Sequence, residues 1–336
     1  SLAAACVMAP AGEPYLPPGE RQELMREIGI CDGETEEARR GDAPKDQQQL
    51  LVCLERGLHL RRRLFAESSS EVTSACRHLC EACNFAATRM LQTDNLKGAC
   101  DLLKRAEQVA DKSDLDRSIT WNNLACYYRR IGKLRTAVSF LERALAIEEH
   151  MGSADAAQTH LNLCATLSQL QRHNDALYHA QSALIRVYEM LSPLMLSGEL
   201  AGTGVDAGSG PPVGDSESML EQVTVLCIAY HNLAVEHEYL KKHESALCAY
   251  ASGLRWAGRF LDSNHQLHGI LRDSAEAVKA KLPQGSAAMR RAEELSAGWP
   301  QQSTSSGEGE SSRSAHMDNL LTPRDASHRD VEDAGE

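Results

Sequence analysis

The sequence predicts an all-helical chain, a solenoid of stacked helical hairpins, and three observations carry that prediction. One pattern of large and small apolar residues recurs four times, with its key alanines Ala99, Ala137, Ala176 and Ala246 standing 38, 39 and 70 residues apart. Aromatic residues make up only 4% of the 336, while Ala, Cys and Ser are abundant, a mix that suits close helix packing better than a pleated sheet. The apolar residues recur at helical rather than alternating spacing.

Residues 1–44 are rich in Gly, Pro and acids and are expected to be disordered. An opening helix is expected over residues 45–66, with Leu50, Leu51, Leu54 and Leu58 on one side. It stops before Ser68-x-x-Glu71, a capping-box pattern that opens the next helix.

The repeats then occupy residues 67–283, in copies at about 80–113, 118–151, 157–196 and 218–261. In the second copy Trp121, Leu124, Ala125 and Tyr128 share the first helix; after a turn at Gly132, Ala137, Leu141 and Ala144 follow on the second. The third copy places His160, Leu163, Cys164 and Leu167 before Ala176, Ala180 and Ala183. The fourth places Tyr230, Leu233, Ala234 and His237 before Ala246, Tyr250 and Gly253. Upstream, Cys83, Ala86, Ala87 and Met90 precede Ala99, Leu103 and Ala106. Alanine stands where two backbones approach closely, because a longer side chain would hold them apart. A lone hairpin leaves its apolar face in water, so copies stack and share a core.

Residues 197–217 have linker composition and are expected to be a flexible insertion. A capping helix is expected over residues 263–282, where Leu267, Ile270, Leu271, Val278 and Leu282 keep helical spacing until Pro283. A weaker helix over 284–299 and a disordered acidic tail over 300–336 complete the organisation.

The order Trp121, Leu124-Ala125, Tyr128, then Ala137, Leu141 and Ala144, resembles the tetratricopeptide signature. The wording Asn122-Asn123-Leu124-Ala125-x-x-Tyr128, with its longer repeat, is similar to the kinesin light chain type. This resemblance implies a right-handed α–α superhelix whose first helices line a concave groove, and a protein partner that lies there as an extended segment or a helix. It further implies that the asparagine before the framework leucine, at Asn123, Asn162 and Asn232, points into the groove and bonds the partner's backbone. An amide suits that task because it both donates and accepts. The upstream copy breaks the ladder with Phe85. Read from the residues alone, the same asparagines could instead tie neighbouring helices together. Arg129 and Arg130, with His231, offer a positive patch for an acidic partner or a solvated helix end. The positions that would need Lys and Arg to clamp a chaperone tail hold Gln158, Asn162, Ile228 and Asn232, which disfavours that role.

Charge narrows the function classes. The net charge is −12, of which residues 1–45 carry −4 and residues 301–336 carry −5, leaving −3 for the middle. No basic surplus exists at domain scale, so a nucleic-acid partner is not expected. The longest apolar run, Leu2 to Ala9, is about eight residues against the ~20 needed to cross a bilayer, so no membrane span is expected. Eleven cysteines, an odd number set within helical patterns, point to a reducing cytosol.

Cys76-x3-Cys80-x2-Cys83 matches the spacing of cluster-binding cysteines, but on a helix it forms one packed face, so a metal or cluster role stands as a remote alternative. Glu236-His237-Glu238 with His243 lacks the His-Glu-x-x-His arrangement, and neither a phosphate loop nor a nucleophile elbow is present. The sequence therefore predicts a cytoplasmic, non-enzymatic adaptor with no cofactor and no metal. The competing reading is a structural component of a cytoskeletal or ciliary assembly.

Overall fold

The computed structural model describes residues 16–41, 44–110, 113–196, 216–262 and 264–296. The tail over 300–336 and nearly all of the insertion over 197–217 lie outside the described residues. All regular structure among the described residues is helical: α1 (Pro18–Arg39), α2 (Pro44–Leu64), α3 (Ser70–Gln92), α4 (Leu96–Val109), α5 (Asp114–Arg130), α6 (Leu134–Met151), α7 (Ala156–Gln169), α8 (His173–Leu196), α9 (Ser216–Tyr239), α10 (His243–Phe260), α11 (Gln266–Lys279) and α12 (Ala287–Ser296). Two compact units, Ser1–Tyr127 and Tyr128–Glu336, divide within α5.

In the first unit α1 overturns the expectation that residues 1–44 are disordered, at least over residues 18–39. Leu24, Ile28, Cys31, Thr35 and Ala38 form a buried stripe at helical spacing, and Pro18 starts the helix where a missing N–H costs nothing. The stripe packs on Cys53, Leu60 and Leu64 of α2. Arg61 fastens the pair, donating from Nη2 to both oxygens of Asp32 at 2.8 Å. Acids and glycines on the outer face of α1 mask this stripe in a composition reading.

Helix α3 begins one residue later than the Ser68-x-x-Glu71 pattern indicates. Ser69 is the cap, and its hydroxyl accepts from the Val72 N–H at 3.2 Å. Ser69→Ala should cost about 1 kcal/mol of stability, read as a lower urea midpoint, by orphaning that N–H.

One connection recurs at the equivalent place in all four copies. Asp94, Gly132, Gln171 and Lys241 each adopt a positive φ, between 58° and 78°. The residue after each donates its N–H to the carbonyl five positions back: Asn95 to Met90, Lys133 to Tyr128, Arg172 to Leu167 and Lys242 to His237, all at 2.8–2.9 Å. This is a Schellman close, which satisfies the last carbonyls of the first helix and turns the chain sharply into the second. The second helix then opens with the key alanines Ala99, Ala137, Ala176 and Ala246, all fully buried. Of these four residues, Gly132 alone adopts the left-handed conformation without a Cβ penalty. Gln171→Gly is therefore expected to raise stability by about 0.5–1 kcal/mol, and an unchanged or lower urea midpoint would refute that.

In the second unit α7 packs against α6, α8 and α9, and α10 against α9, α11 and α12. Leu161, Val187, Leu191, Leu226, Ile228 and Tyr250 lie at the centre of one continuous core. Gly253 replaces the alanine of the other copies because a Cβ there would come 3.2 Å from the Cβ of Tyr230 and 3.1 Å from Leu271.

Candidate functional site

The site begins with how α3 and α5 lie side by side in the first unit. Asn84 donates from Nδ2 to Thr120 Oγ1 at 2.9 Å, and Asn123 donates from Nδ2 to Asn84 Oδ1 at 3.0 Å. The Cys80 thiol lies 3.5 Å from the same Thr120 hydroxyl. Contacts that advance along both helices together make α3 and α5 parallel.

Successive residues on a helix step by about 100°. Phe85 follows Asn84 by one position and Ile119 precedes Thr120 by one, so both side chains emerge on the same side of the pair. Leu115 lies one turn before Ile119 on that side. Phe85, Leu115 and Ile119 are 62%, 41% and 38% exposed. The guanidinium of Arg89, one turn beyond Phe85, stands 6.0 Å from its ring centroid. Half-buried Asn123 borders the same apolar surface.

The remaining residues expected at the site are elsewhere. Asn162 and Asn232, 5% and 0% exposed, are interior residues of α7 and α9. His231, 4% exposed, sits edge-on to the Tyr250 ring with centroids 5.8 Å apart. The structure therefore does not present these three groups to solvent, and the positive patch drawn from Arg129, Arg130 and His231 is not assembled at the surface. Arg129, half-buried, and Arg130, exposed, close α5 within the second unit. Helix α7 explains the difference: α6, α8 and α9 enclose it, and every residue from Ala156 to Ser168 except Gln158 is buried.

The cysteine triplet packs as the helical spacing implies. Cys76, Cys80 and Cys83 are buried on α3. Burial, partly offset for Cys80 by Thr120 and for Cys83 by Arg105, pushes these two thiols up to about 11 and about 12. Neither is a thiolate near neutrality. Among the described residues no three His, Cys, Asp or Glu side chains come together as metal ligands. No described helix is long and apolar enough to cross a membrane.

The turn and the buried alanine, repeated in phase four times, decide the type of repeat. The fold is tetratricopeptide-like. No protein-family model and no curated protein matches the sequence. Among solved structures, BtubC (BKLC) from P. vanneervenii is similar at 19% identity and a TM-score of 0.40, over 86% of this chain and 99% of that one. A Rap protein complexed with competence and sporulation factor is similar at 13% identity and a TM-score of 0.45, over 84% and 77%. A putative kinesin light chain with nearly identical TPR-like repeats from Podospora anserina gives 15% and 0.36, over 77% and 99%. Similarity at this level says nothing about a partner. On this chain's own surface α3 and α5 together carry an exposed apolar face, whereas the first helices α7 and α9 are largely enclosed.

Proposed function

We propose that this protein is a non-enzymatic scaffold that holds a segment of a partner protein against the α3–α5 face of its first unit. The observation that supports this reading is the exposure of Phe85, Leu115 and Ile119 on one side of two parallel helices. Repeated helical hairpins offer extended surfaces of this kind to protein partners. An apolar side chain laid over Phe85 and Ile119 gains about 25 cal/mol for each Å² of apolar surface removed from water. Arg89 adds a planar donor fork for a carboxylate beside that side chain. Asn123 adds a group that can bond a partner's backbone whatever its sequence. The partner that fits is an extended or helical segment carrying an apolar residue next to an acid.

The test compares capture of the partner by the wild-type chain with capture by Phe85→Ala/Ile119→Ala and by Asn123→Ala, at equal concentrations of folded protein. The double variant should bind at least about ten-fold more weakly, the scale of a lost anchor residue. Asn123→Ala should weaken capture less. Full capture by the double variant would move the site off this face.

A further inference from the structure

A cleft of about 540 Å³ opens in the first unit between α1, α2 and α3, within the size range of ligand sites and sharing no residue with the α3–α5 face. It exists only because α1 is folded. Buried Cys53, Leu54 and Ala75 contribute apolar surface to it. Its rim is polar, with Asp32, Glu36 and Arg39 from α1, Arg61 from α2, and Glu71 and His78 from α3.

The charges on that rim are not equally available. Arg61 is committed, since Nη2 takes both oxygens of Asp32 at 2.8 Å and Nη1 donates to the Gly57 carbonyl at 3.3 Å. A Cβ at residue 57 would stand 3.0 Å from that Nη1, so glycine lets the guanidinium lie flat on α2. Glu36 and Glu71 are exposed and have no cationic partner within ion-pair distance among the described residues. Its own backbone N–H, then the Ser70 hydroxyl at 3.0 Å, then the Ser69 hydroxyl and the more distant charge of Arg61 hold the Glu71 carboxyl below its usual range and keep it ionised. Arg39 lines the same rim and opposes a cation there.

An apolar floor beneath unpaired carboxylates matches a group with a hydrocarbon stem and a cationic head. We propose that this cleft is a second docking site of the protein and takes a basic side chain, arginine or lysine, of a protein partner. The stem lies along Cys53, Leu54 and Ala75, and the head meets Glu36 and Glu71.

The test titrates the full chain with acetyl-Gly-Arg-Gly-amide and acetyl-Gly-Lys-Gly-amide, following the His78 ring and Arg61 side-chain resonances. The neutral control is the peptide with citrulline in place of arginine. Both basic peptides should give saturable shifts and the citrulline peptide none. Glu36→Gln/Glu71→Gln should weaken binding about five-fold or more, and Arg39→Ala should tighten it about two-fold, the opposite signs expected of a charge-selected site. Phe85→Ala should leave these titrations unchanged, which separates this site from the α3–α5 face. Equal binding of the citrulline peptide, no saturable shift with either basic peptide, or looser binding after Arg39→Ala would each overturn the proposal. Spermidine binding as tightly as the peptides would assign the cleft to free polyamines and overturn the partner assignment.

Discussion

Leu163→Ala is expected to lower the stability of the second unit by about 2–5 kcal/mol. Leu163 is the framework leucine of α7 and is fully buried. Because α6, α8 and α9 pack against this helix, the side chains around Leu163 are held on helices and relax only in part into the space left behind. The loss combines the transfer energy of the missing methyl groups with the cavity they leave. Ile185→Ala on α8 is the control, because a side chain 59% exposed should change stability by no more than about 0.5 kcal/mol. Urea denaturation of both variants separates the cases: Leu163→Ala should lower the midpoint strongly with an unchanged slope. Similar small shifts for both would mean that α7 is not the interior helix of its unit.

The repeat was legible in the sequence because its cause is local. Ala99, Ala137, Ala176 and Ala246 mark the points where second helices approach their partners, and each is fully buried. The turns were legible only in part. Gly132 announces a left-handed residue, whereas Asp94, Gln171 and Lys241 adopt the same conformation without a sequence signal. Phase with Gly132 is the signal that would have found them, since each stands the same number of residues after the first large residue of its copy. Helix α1 was hidden for a different reason. Its apolar stripe is five residues of modest size among acids and glycines, and only its docking on α2 makes it worth forming.

The site was legible only in outline. A resemblance places Asn123, Asn162 and Asn232 at one position of the repeat, but that position carries no information about what covers it. On α5 it is half-buried, and on α7 and α9 it is interior. The residue that interrupts the ladder, Phe85, is the most exposed large apolar group among the described residues of the first unit. Its exposure follows from packing between α3 and α5 through Asn84, Thr120 and Asn123, a contact between distant parts of the sequence. A break in a polar ladder at an aromatic residue was the available signal, and its direction, toward solvent, needed the structure.

Acid should weaken the second unit through a pair of histidines, one of which, His160, fills the first framework position of the third copy. His160 of α7 and His179 of α8 meet with their Nδ1 atoms 2.9 Å apart, so one ring donates and the other accepts. Glu149 Oε1 stands 3.7 Å from His160 Nε2, and Arg186 approaches the same Glu149 at 3.9 Å. Burial is the main cause that pushes both rings down to about 4; Arg186 adds to it for His160, and His160 itself adds to it for His179. Asp175 and Glu149 pull His179 the other way, and Arg172 reinforces the depression. The unfolded chain, with histidines near 6.5, therefore takes up protons before the folded one does. Stability is complete above about pH 6.5 and is lost as pH falls toward 4, by on the order of 3 kcal/mol for each ring. Glu236 on α9 acts with the opposite sign, because burial raises its carboxyl, and protonation relieves a cost already present at neutral pH. The measurement is therefore a difference: urea denaturation at pH 7 and pH 4.5 for the wild type and for His160→Gln/His179→Gln. The wild type should lose more stability between the two pH values than the variant does, by several kcal/mol, on the order of 3–5. Parallel losses would show that the two rings do not titrate as a buried pair.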